Sequence, residues 1–446
     1  MARLFGTDGV RGVANRDLTP ELAFRIGRAH GHLLARDGRR PRLVVGRDTR
    51  VSGPMLEASY LAGLCSSGAD VLLLGVMPTP GVAWLVGQFG ADGGAVISAS
   101  HNPCQDNGIK LLNAQGFKLS DEEEDALEAG IAQADGLPRP VGGDLGRVES
   151  HVRDGEDRYV AYLASQAPCR LDGLRVVLDC AHGAASQVAP RVFGALGAEA
   201  RILHNEPDGV NINRDCGSTH PGGMQQAVLA AGARLGLAFD GDADRCIAAD
   251  EAGNLVDGDP MLLIFARWLR DAGRLPGDTV VTTVMANYGL EEALRRHGIG
   301  MVRTPVGDRY VLAEMRRRGA LLGGEQSGHL IFLDHGTTGD GVLTGMLLAC
   351  RVQASDEPLS AMAAGMTRMP QLLVNVRVRD KNLWDRDPEV VGAVARAEAR
   401  LQDRGRVLVR PSGTENLVRV MAEGPEREEL DLLVGEIRQV LEQRLA

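Results

Sequence analysis

Three aspartates at alternating positions follow a short apolar stretch in the middle of the chain. Asp240, Asp242 and Asp244 come directly after Leu235–Phe239, where a strand is expected to end. Carboxylates crowded on one turn repel one another, so a hard divalent cation such as Mg²⁺ best explains the cluster. Arg245 follows at once, and a guanidinium beside Mg²⁺ is typical of a phosphate site. An acidic surface turn is the alternative, which a lone Asp-x-Asp would favour.

A second loop brings a hydroxyl, an imidazole and an amine together after a predicted strand at 95–97. It has the sequence Ser-Ala-Ser-His-Asn-Pro over 98–103, and Lys110 follows. A serine can take or give a group while His101 or Lys110 moves a proton or steadies charge. Because Ser, Asn and Pro also form turns, a hydrogen-bonded turn explains the segment equally well. Nothing local distinguishes its two serines.

Two further loops favour a sugar phosphate as ligand. In 323–329 an acid, an amide, a hydroxyl and an imidazole stand between glycines, which suits vicinal sugar hydroxyls approached by backbone. In 410–416 hydroxyls and a glycine follow Arg410, and Arg419 is close behind, so this segment offers donors to a phosphate. A polar surface loop and a plain β-turn are the respective alternatives.

Three more loops contain arginine. Arg11, in the loop 5–12, is a candidate phosphate ligand. The mixture of Asp and Arg at 46–53 is more typical of a structural ion-pair network. The loop 304–310 shapes a phosphosugar pocket or forms a structural turn, and the sequence favours neither.

The composition is that of a large globular protein. The chain has 446 residues, 44% hydrophobic, 24% charged and 4% aromatic, and this length predicts several domains. Its 57 glycines indicate many tight turns and loops that approach a ligand. The net charge of −10 gives no general attraction for nucleic acid or an anionic membrane. An anionic substrate must therefore be bound by local clusters of Arg and Lys.

Cysteine usage and hydropathy bear on the compartment. The cysteines are scattered and form no Cys-x-x-Cys pair, which predicts reduced thiols and argues against a zinc site. No apolar run approaches transmembrane length, and the N-terminal residues lack an apolar signal region. We expect a cytoplasmic protein that binds neither nucleic acid nor membrane.

Short apolar runs alternate with amphipathic stretches of helical length. This order predicts α/β domains with largely parallel sheets, whose ligands are gathered by loops at the carboxyl ends of strands. The last part opens with a strand over 371–378 and ends in a helix after Gly424 and Pro425, so it is a smaller domain. The other predicted strands are 42–45, 71–74, 95–97, 175–178, 235–239, 280–284 and 300–302. The predicted domains are 1–152, 153–255, 256–368 and 369–446.

The functional loops resemble, in order and spacing, those of the α-D-phosphohexomutase superfamily, and the match runs from end to end. The resemblance implies three related mixed α/β domains with largely parallel sheets and a smaller C-terminal α+β domain. Each domain would lend one loop to a central cleft, and the last domain would swing to open and close it. The matching segments are 5–12, 97–103, 240–245, 324–329 and 410–415.

The resemblance also implies roles for individual residues. Ser100 would carry a phosphate and bind one Mg²⁺ ion per subunit together with Asp240, Asp242 and Asp244. Arg245 would lie against the phosphoryl group, and Lys110 and His329 would handle protons beside His101. Sugar hydroxyls would be bound by Glu325 and Ser327. The phosphate that is not transferred would be bound by Arg410, Ser412, Gly413, Thr414 and Arg419.

The implied reaction interconverts glucosamine 6-phosphate and glucosamine 1-phosphate, on the route to UDP-N-acetylglucosamine and peptidoglycan. A glucosamine 1,6-bisphosphate would form and turn around in the cleft, and it or glucose 1,6-bisphosphate would serve as activator. A kinase, the enzyme itself or a sugar bisphosphate would first phosphorylate Ser100. The sequence does not decide between a monomer and a homodimer. Mannose or glucose phosphates as substrates, a metal-dependent phosphatase and a non-catalytic sugar-phosphate sensor are the alternatives.

Three places depart from the usual pattern of the superfamily. Ala243 stands where many relatives have glycine, and the pair Cys104 and Gln105 replaces a commonly bulkier pair. His182 stands where relatives often have asparagine. We expect His182 to be a structural histidine and the other two changes to be harmless.

Overall fold

The computed structural model describes residues 4–6, 8–35, 39–412 and 415–446. The chain separates into two compact units, Met1–Met285 with Met301–Ala364 and Ala286–Gly300 with Gly365–Ala446. Among the described residues, sheets of six, five, four and three strands follow one another along the chain. The domain boundaries predicted from the sequence stay predictions.

The first sheet has a parallel part of four strands and antiparallel pairing along one edge. Its elements are β1 (Val10–Val13), α1 (Pro20–Leu34), β2 (Arg42–Arg47), α2 (Gly53–Ser66), β3 (Asp70–Val76), α3 (Thr79–Gln88), β4 (Gly93–Ile97), β5 (Asp106–Asn113), α4 (Asp121–Ala132), β6 (Val148–Ser150). The order is β1-β5-β4-β2-β3-β6, with β2 parallel to β3 and β4, and β5 antiparallel to β4 and β1. Buried side chains such as Leu43 and Ile97 form its core. The loop after β4 therefore leaves from the middle of the sheet.

The second sheet carries the aspartate cluster on a hairpin. Its elements are α5 (Val152–Ser165), β7 (Arg175–Asp179), α6 (Ala185–Ala195), β8 (Glu199–Leu203), α7 (Gly222–Ala231), β9 (Leu235–Phe239), β10 (Cys246–Asp250) and β11 (Leu255–Val256). Strand β7 is parallel to β8 and β9, whereas β10 is antiparallel to β9 and β11. Phe239 faces Cys246 across the hairpin, so 240–245 form the connecting loop.

The third sheet ends in two short strands that form a hairpin. Its elements are α8 (Gly258–Asp271), β12 (Thr279–Thr283), β13 (Gly300–Thr304), α10 (Asp308–Arg318), β14 (Leu322–Gly324), β15 (Leu330–Phe332), α11 (Gly341–Ala354) and α12 (Leu359–Ala363). Strand β14 is parallel to β12 and antiparallel to β15. The turn between β14 and β15 carries the predicted sugar-binding residues.

The smaller unit has an antiparallel sheet in the order β16-β18-β17. Its elements are α9 (Tyr288–Arg296), β16 (Gln371–Arg377), α13 (Pro388–Leu401), β17 (Arg406–Pro411), β18 (Leu417–Glu423) and α14 (Arg427–Leu445). Leu430, Leu433, Val434, Ile437 and Leu441 of α14 are buried in its core, which confirms the apolar stripe as packing.

Every strand predicted from an apolar run is present, with ends that differ by a few residues at most. The expected mixed α/β domains with largely parallel sheets and a smaller C-terminal domain are confirmed. Strands β1, β5, β6, β8, β10, β11, β14, β15 and β18 were not predicted. Most of them pair antiparallel with a neighbour, whereas β6 and β8 are parallel to theirs. A search of the described residues for a helix of bilayer-spanning length and hydropathy returns none.

Candidate active site

The three aspartates form a buried, negatively charged cluster. The carboxylates of Asp240, Asp242 and Asp244 are buried and offer oxygen atoms within 4.8 Å of one another. Ala243 between them has a φ of 58°, a left-handed conformation that glycine adopts more easily than alanine. Burial, followed by the charges of Asp244 and Asp242, raises the pKa of Asp240 well above its ordinary value.

This cluster fits a hard divalent cation. One carboxylate oxygen of Asp242 and one of Asp244 are buried without any hydrogen-bond partner. Oxygen ligands that are left unsatisfied and mutually repelling are what Mg²⁺ takes, usually through a few carboxylates. The three aspartates could therefore hold Mg²⁺.

Ser100 lies against this cluster. It follows β4 in a left-handed conformation with a φ of 52°, and its Oγ donates a 2.6 Å hydrogen bond to Asp240 Oδ2. Ser98 instead donates to Asp48 Oδ2 at 2.6 Å and accepts from the Ser100 amide at 2.9 Å. The structure thus separates two serines that the sequence left equivalent, because only Ser100 reaches the aspartates.

The loop 46–53 holds the serine loop in place. The fully buried guanidinium of Arg50 pairs with Asp48 at 2.8 Å. It also donates to the carbonyl oxygens of Ser100 and Asn102, both at 2.8 Å, and to those of Pro103 and Asp106. The structural ion-pair network predicted for this segment is confirmed, and its task is to shape the backbone around Ser100.

Lys110 projects from β5 into the aspartates. Its Nζ lies 2.7 Å from Asp242 Oδ2, 3.0 Å from Asp8 Oδ2 and 3.6 Å from Asp244 Oδ2. Burial alone would lower the pKa of Lys110, but Asp242, Asp8 and Asp244 outweigh it and raise the pKa. The amine is therefore a cation that keeps its proton at neutral pH and can steady negative charge.

His329 contacts the cluster from the turn between β14 and β15. Its Nδ1 lies 3.6 Å from Asp244 Oδ2, its Nε2 lies 3.6 Å from Asp308 Oδ2, and the Gly339 amide donates to Nε2 at 3.1 Å. Burial lowers the pKa of His329, but Asp244 and Asp308 overcome this and raise it. Protonation of Nε2 would exchange the Gly339 hydrogen bond for an ion pair with Asp308.

Lys110, Asp244 and His329 belong to a closed ring of charged side chains. The other three members of the ring were not predicted from the sequence. Lys118 Nζ lies 2.6 Å from Asp308 and also contacts Asp8. We call the six residues the charge ring: Asp8, Lys110, Asp244, His329, Asp308 and Lys118. Asp8 and Asp308 stand in the loops 5–12 and 304–310, where only the arginines attracted notice, and Lys118 stands in no motif.

A histidine and two arginines lie on the other side of Ser100. They are His101, which is beside Ser100, and Arg245 and Arg11, whose charges act on His101. His101 Nδ1 lies 3.3 Å from Ser100 Oγ. Burial, then Arg245 and Arg11, lowers the pKa of His101 to about 4, so the His101 imidazole is neutral at pH 7. Arg245 Nε lies 3.8 Å from Asp244, and the Nε atoms of Arg245 and Arg11 are buried without a hydrogen-bond partner. These donors suit an anion beside Ser100.

Glu325 and Ser327 lie in the same turn as His329. The Gly307 amide donates to Glu325 Oε1 at 3.3 Å, so the loop 304–310 lies against this turn. Ser327 Oγ is buried without a hydrogen-bond partner, which leaves it available to a ligand. Gly328 has a φ of 87°, and a side chain there would collide with the Cys246 carbonyl.

The predicted phosphate loop belongs to the smaller unit. Arg410 and Arg419 face each other across β17 and β18, and burial followed by Arg419 lowers the pKa of Arg410. Like charges directly opposite one another are unfavourable unless an anion lies between them. Ser412 Oγ and Arg419 Nε are buried without hydrogen-bond partners. Gly413 and Thr414 lie outside the described residues.

Models of one family match four successive parts of the chain. They are described as phosphoglucomutase/phosphomannomutase alpha/beta/alpha domains I, II and III and C-terminal domain, and they match 2–137, 157–253, 257–369 and 373–440. A protein of *Moorella thermoacetica* named phosphoglucosamine mutase is 57% identical over 99% of both chains.

Solved structures agree with this match. A phosphoglucomutase/phosphomannomutase family protein of Burkholderia thailandensis is 27% identical, with a TM-score of 0.82 over 99% of this chain and 97% of that one. An N-acetylphosphoglucosamine mutase of Aspergillus fumigatus, 18% identical, shares the fold with a TM-score of 0.70 over 99% and 95%. The chain therefore belongs to the phosphoglucomutase/phosphomannomutase family and, at this identity over its whole length, to the phosphoglucosamine mutases, which are isomerases.

Proposed function

We propose that the enzyme interconverts glucosamine 6-phosphate and glucosamine 1-phosphate, with the transferred phosphoryl group carried on Ser100. The observation that carries the proposal is the 2.6 Å hydrogen bond from Ser100 Oγ to Asp240, at the edge of three buried carboxylates. The name of the Moorella relative supports the amino sugar as substrate.

Asp240, Asp242 and Asp244, together with the phosphate on Ser100, would hold one Mg²⁺ ion. When bound, this ion would neutralise the carboxylates and the charge that develops on the phosphoryl oxygens. The Aspergillus structure is a complex with magnesium and GlcNAc-6P, which supports this ion for the fold.

The transfer exchanges one ester bond for another and needs no ATP. The bond between Ser100 Oγ and phosphorus breaks while a bond forms from phosphorus to the O1 or O6 hydroxyl oxygen of the sugar. The proton of the sugar hydroxyl passes by way of a base to the released Ser100 oxygen, and the resulting 1,6-bisphosphate turns around and returns its other phosphate to Ser100. Positioning and fixed charge supply most of the catalysis in such transfers.

Charge states suggest how the protons are handled. Lys110 is a cation whose ammonium group lies close to three aspartates, so it would steady the phosphoryl group by its charge. Neutral His101, 3.3 Å from Ser100 Oγ, is able to accept one. His329 would orient Asp244 through its Nδ1 and respond to proton movement in the charge ring.

The remaining predicted residues would bind the substrate. Glu325 and Ser327 are proposed to contact sugar hydroxyls or the ammonium group, and Arg11 and Arg245 the phosphate on Ser100. The phosphate that is not transferred would be held by Arg410, Ser412, Gly413, Thr414 and Arg419.

Activation and assembly are further parts of the proposal. Glucosamine 1,6-bisphosphate or glucose 1,6-bisphosphate would prime Ser100, unless a kinase or the enzyme itself does so. We expect a cytoplasmic enzyme, with a homodimer as the state to test.

The proposal is tested by substrate competition. Phosphorylated enzyme and Mg²⁺ are given glucosamine 6-phosphate, glucose 6-phosphate and mannose 6-phosphate, and we expect the highest kcat/KM for the amino sugar. Equal efficiencies would contradict the choice of substrate, and release of inorganic phosphate as main product would favour a phosphatase. Mass spectrometry should find the labile phosphate on residue 100 in the wild type and in Ser98→Ala, and should find none in Ser100→Ala.

A further inference from the structure

A second group of potential metal ligands lies behind the aspartate hairpin. Asp179 ends β7, His204 directly follows β8, and Cys216 precedes α7. Their ligand atoms all lie within 4.8 Å of one another. Asp179 and Cys216 are fully buried, whereas the His204 side chain is 33% exposed, so solvent reaches one side of the group.

The imidazole of His204 and the carboxylate of Asp179 face each other. His204 Nδ1 lies 3.0 Å from Asp179 Oδ1 in poor hydrogen-bond geometry, and the pairing with Asp179 raises the pKa of His204. The carboxylate is held from both sides, by the Ala181 amide on Oδ1 and the Gly217 amide on Oδ2, each at 3.0 Å. A nitrogen and an oxygen atom this close, with the Cys216 sulfur within reach, are placed to act as ligands of one ion that displaces the imidazole proton.

We propose that Asp179, His204 and Cys216 bind one divalent transition-metal ion of the Zn²⁺ class. A carboxylate oxygen, an imidazole nitrogen and a thiolate sulfur are the donors that such an ion takes. Mg²⁺ prefers oxygen ligands and would stay at the three aspartates of the hairpin. The exposed side of His204 leaves the fourth position to water.

A reactive thiol is the competing explanation for an Asp, a His and a Cys in proximity. Burial, with the charges of Asp179 and Asp215, raises the pKa of Cys216 to about 12. A thiol in such surroundings is a poor nucleophile, because only its thiolate reacts. The geometry instead places the sulfur within 4.8 Å of an imidazole nitrogen and a carboxylate oxygen, which is a donor set for a shared cation.

The segments that bear these ligands also support the reacting loops. The Ala184 amide donates to the Gly241 carbonyl at 2.8 Å, and the Ser218 amide donates to Phe239 at 2.8 Å. Asn213 donates from its side chain to the Ser100 carbonyl at 2.8 Å. An ion that ties Asp179, His204 and Cys216 together would therefore stiffen the base of the aspartate hairpin and the serine loop.

The probe is Co²⁺, added to the full-length enzyme in saturating Mg²⁺. We expect about one equivalent to bind with a thiolate-to-cobalt charge-transfer absorption in the near ultraviolet, which Zn²⁺ then displaces. Cys216→Ser should abolish the absorption. Asp242→Asn should keep it, because that residue belongs to the other cluster. Cys180→Ser should also keep it, as a matched control with a buried thiol beside Asp179.

Two further readouts guard against a variant that misfolds. His204→Gln alters a partly exposed side chain and should weaken Co²⁺ binding by about tenfold or more. Zn²⁺ should raise the Tm of the wild type as its concentration rises. The proposal is overturned if the wild type gives no thiolate absorption, if Cys216→Ser keeps it, or if His204→Gln binds Co²⁺ as tightly as the wild type.

Discussion

Lys118 and Asp308 form an ion pair of 2.6 Å. Lys118 belongs to the domain of the first sheet, whereas Asp308 begins helix α10, which follows β13 of the third sheet. Both side chains are largely buried, and Lys118 also contacts Asp8. Asp8 is in turn 3.0 Å from Lys110, which reaches the aspartate hairpin. Loops from three parts of the larger unit are thus held together by opposite charges rather than by apolar contact.

We expect Lys118→Met to be strongly destabilising. The change leaves the carboxylates of Asp8 and Asp308 with less compensating charge in a buried place, and breaking such a pair costs about 3 kcal/mol. Urea unfolding of the variant measures the loss. Arg170→Met is the control, because Arg170 and Asp172 form an exposed pair whose loss should change stability little.

The same pair allows a double-mutant cycle. If the cost comes from stranded charge, Asp308→Asn introduced into Lys118→Met should recover part of the lost stability. A double variant as unstable as the sum of the two single variants would show that the residues do not interact.

Asp240→Asn should separate stability from activity. Without a cation, three buried carboxylates within 4.8 Å of one another repel, so removal of one charge should stabilise the metal-free fold by about 1 kcal/mol or more. Mutase activity should fall to background, because an amide is a weaker Mg²⁺ ligand than a carboxylate. The measurements are the Tm in EDTA and the turnover in Mg²⁺. A variant less stable than the wild type in EDTA would contradict the repulsion.

The sequence allowed prediction of the strands and of the motif residues, for a physical reason. Runs such as 235–239 are apolar on both faces, as strands covered by helices on both sides must be, and turn residues mark their ends. The loops that follow them are dense in polar groups with few structural uses. Strand β10, Cys246–Asp250, escaped notice because a hairpin returns directly, without an intervening helix.

The remainder of the site could not be predicted because it depends on residues far apart in the sequence. Lys118 has the appearance of a surface lysine until Asp8 and Asp308 are placed beside it. In the same way Cys216 stands in no metal-binding spacing, and Asp179 and His204 come within 4.8 Å of it only in the fold. The choice between Ser98 and Ser100 depends on Asp48, which accepts from Ser98 in the loop after β2, and on Asp240, which accepts from Ser100.

Arg419→Gln should weaken substrate binding if the smaller unit holds the phosphate that is not transferred. Loss of a charge-assisted bond costs about 1.5–3 kcal/mol, so kcat/KM should fall by about 10- to 100-fold. Arg404→Gln is the matched control in the same unit, because Arg404 is exposed and pairs with Glu429. Equal losses of kcat/KM in the two variants would show that the effect comes from the net charge of the unit and not from a specific bond of Arg419.

His30 should make the first domain sensitive to acid. Its Nδ1 lies 2.7 Å from the Tyr60 hydroxyl, its Nε2 is buried without a partner, and burial lowers its pKa from 6.5 to about 4. Between these values the unfolded chain binds the proton and the folded one does not. The stabilising contribution is therefore full above pH 6.5 and is lost as the pH falls toward 4, by about 3 kcal/mol at most.

Urea unfolding at pH 7 and pH 5 tests this dependence, with variants compared to the wild type so that shared pH effects cancel. His30→Gln should lower stability at pH 7, because Gln does not fill the same space, but it should lose less between pH 7 and pH 5 than the wild type. His32→Gln, on the exposed face of the same helix, should keep the wild-type dependence. If His30→Gln loses as much stability as the wild type, the acid sensitivity must come from other groups.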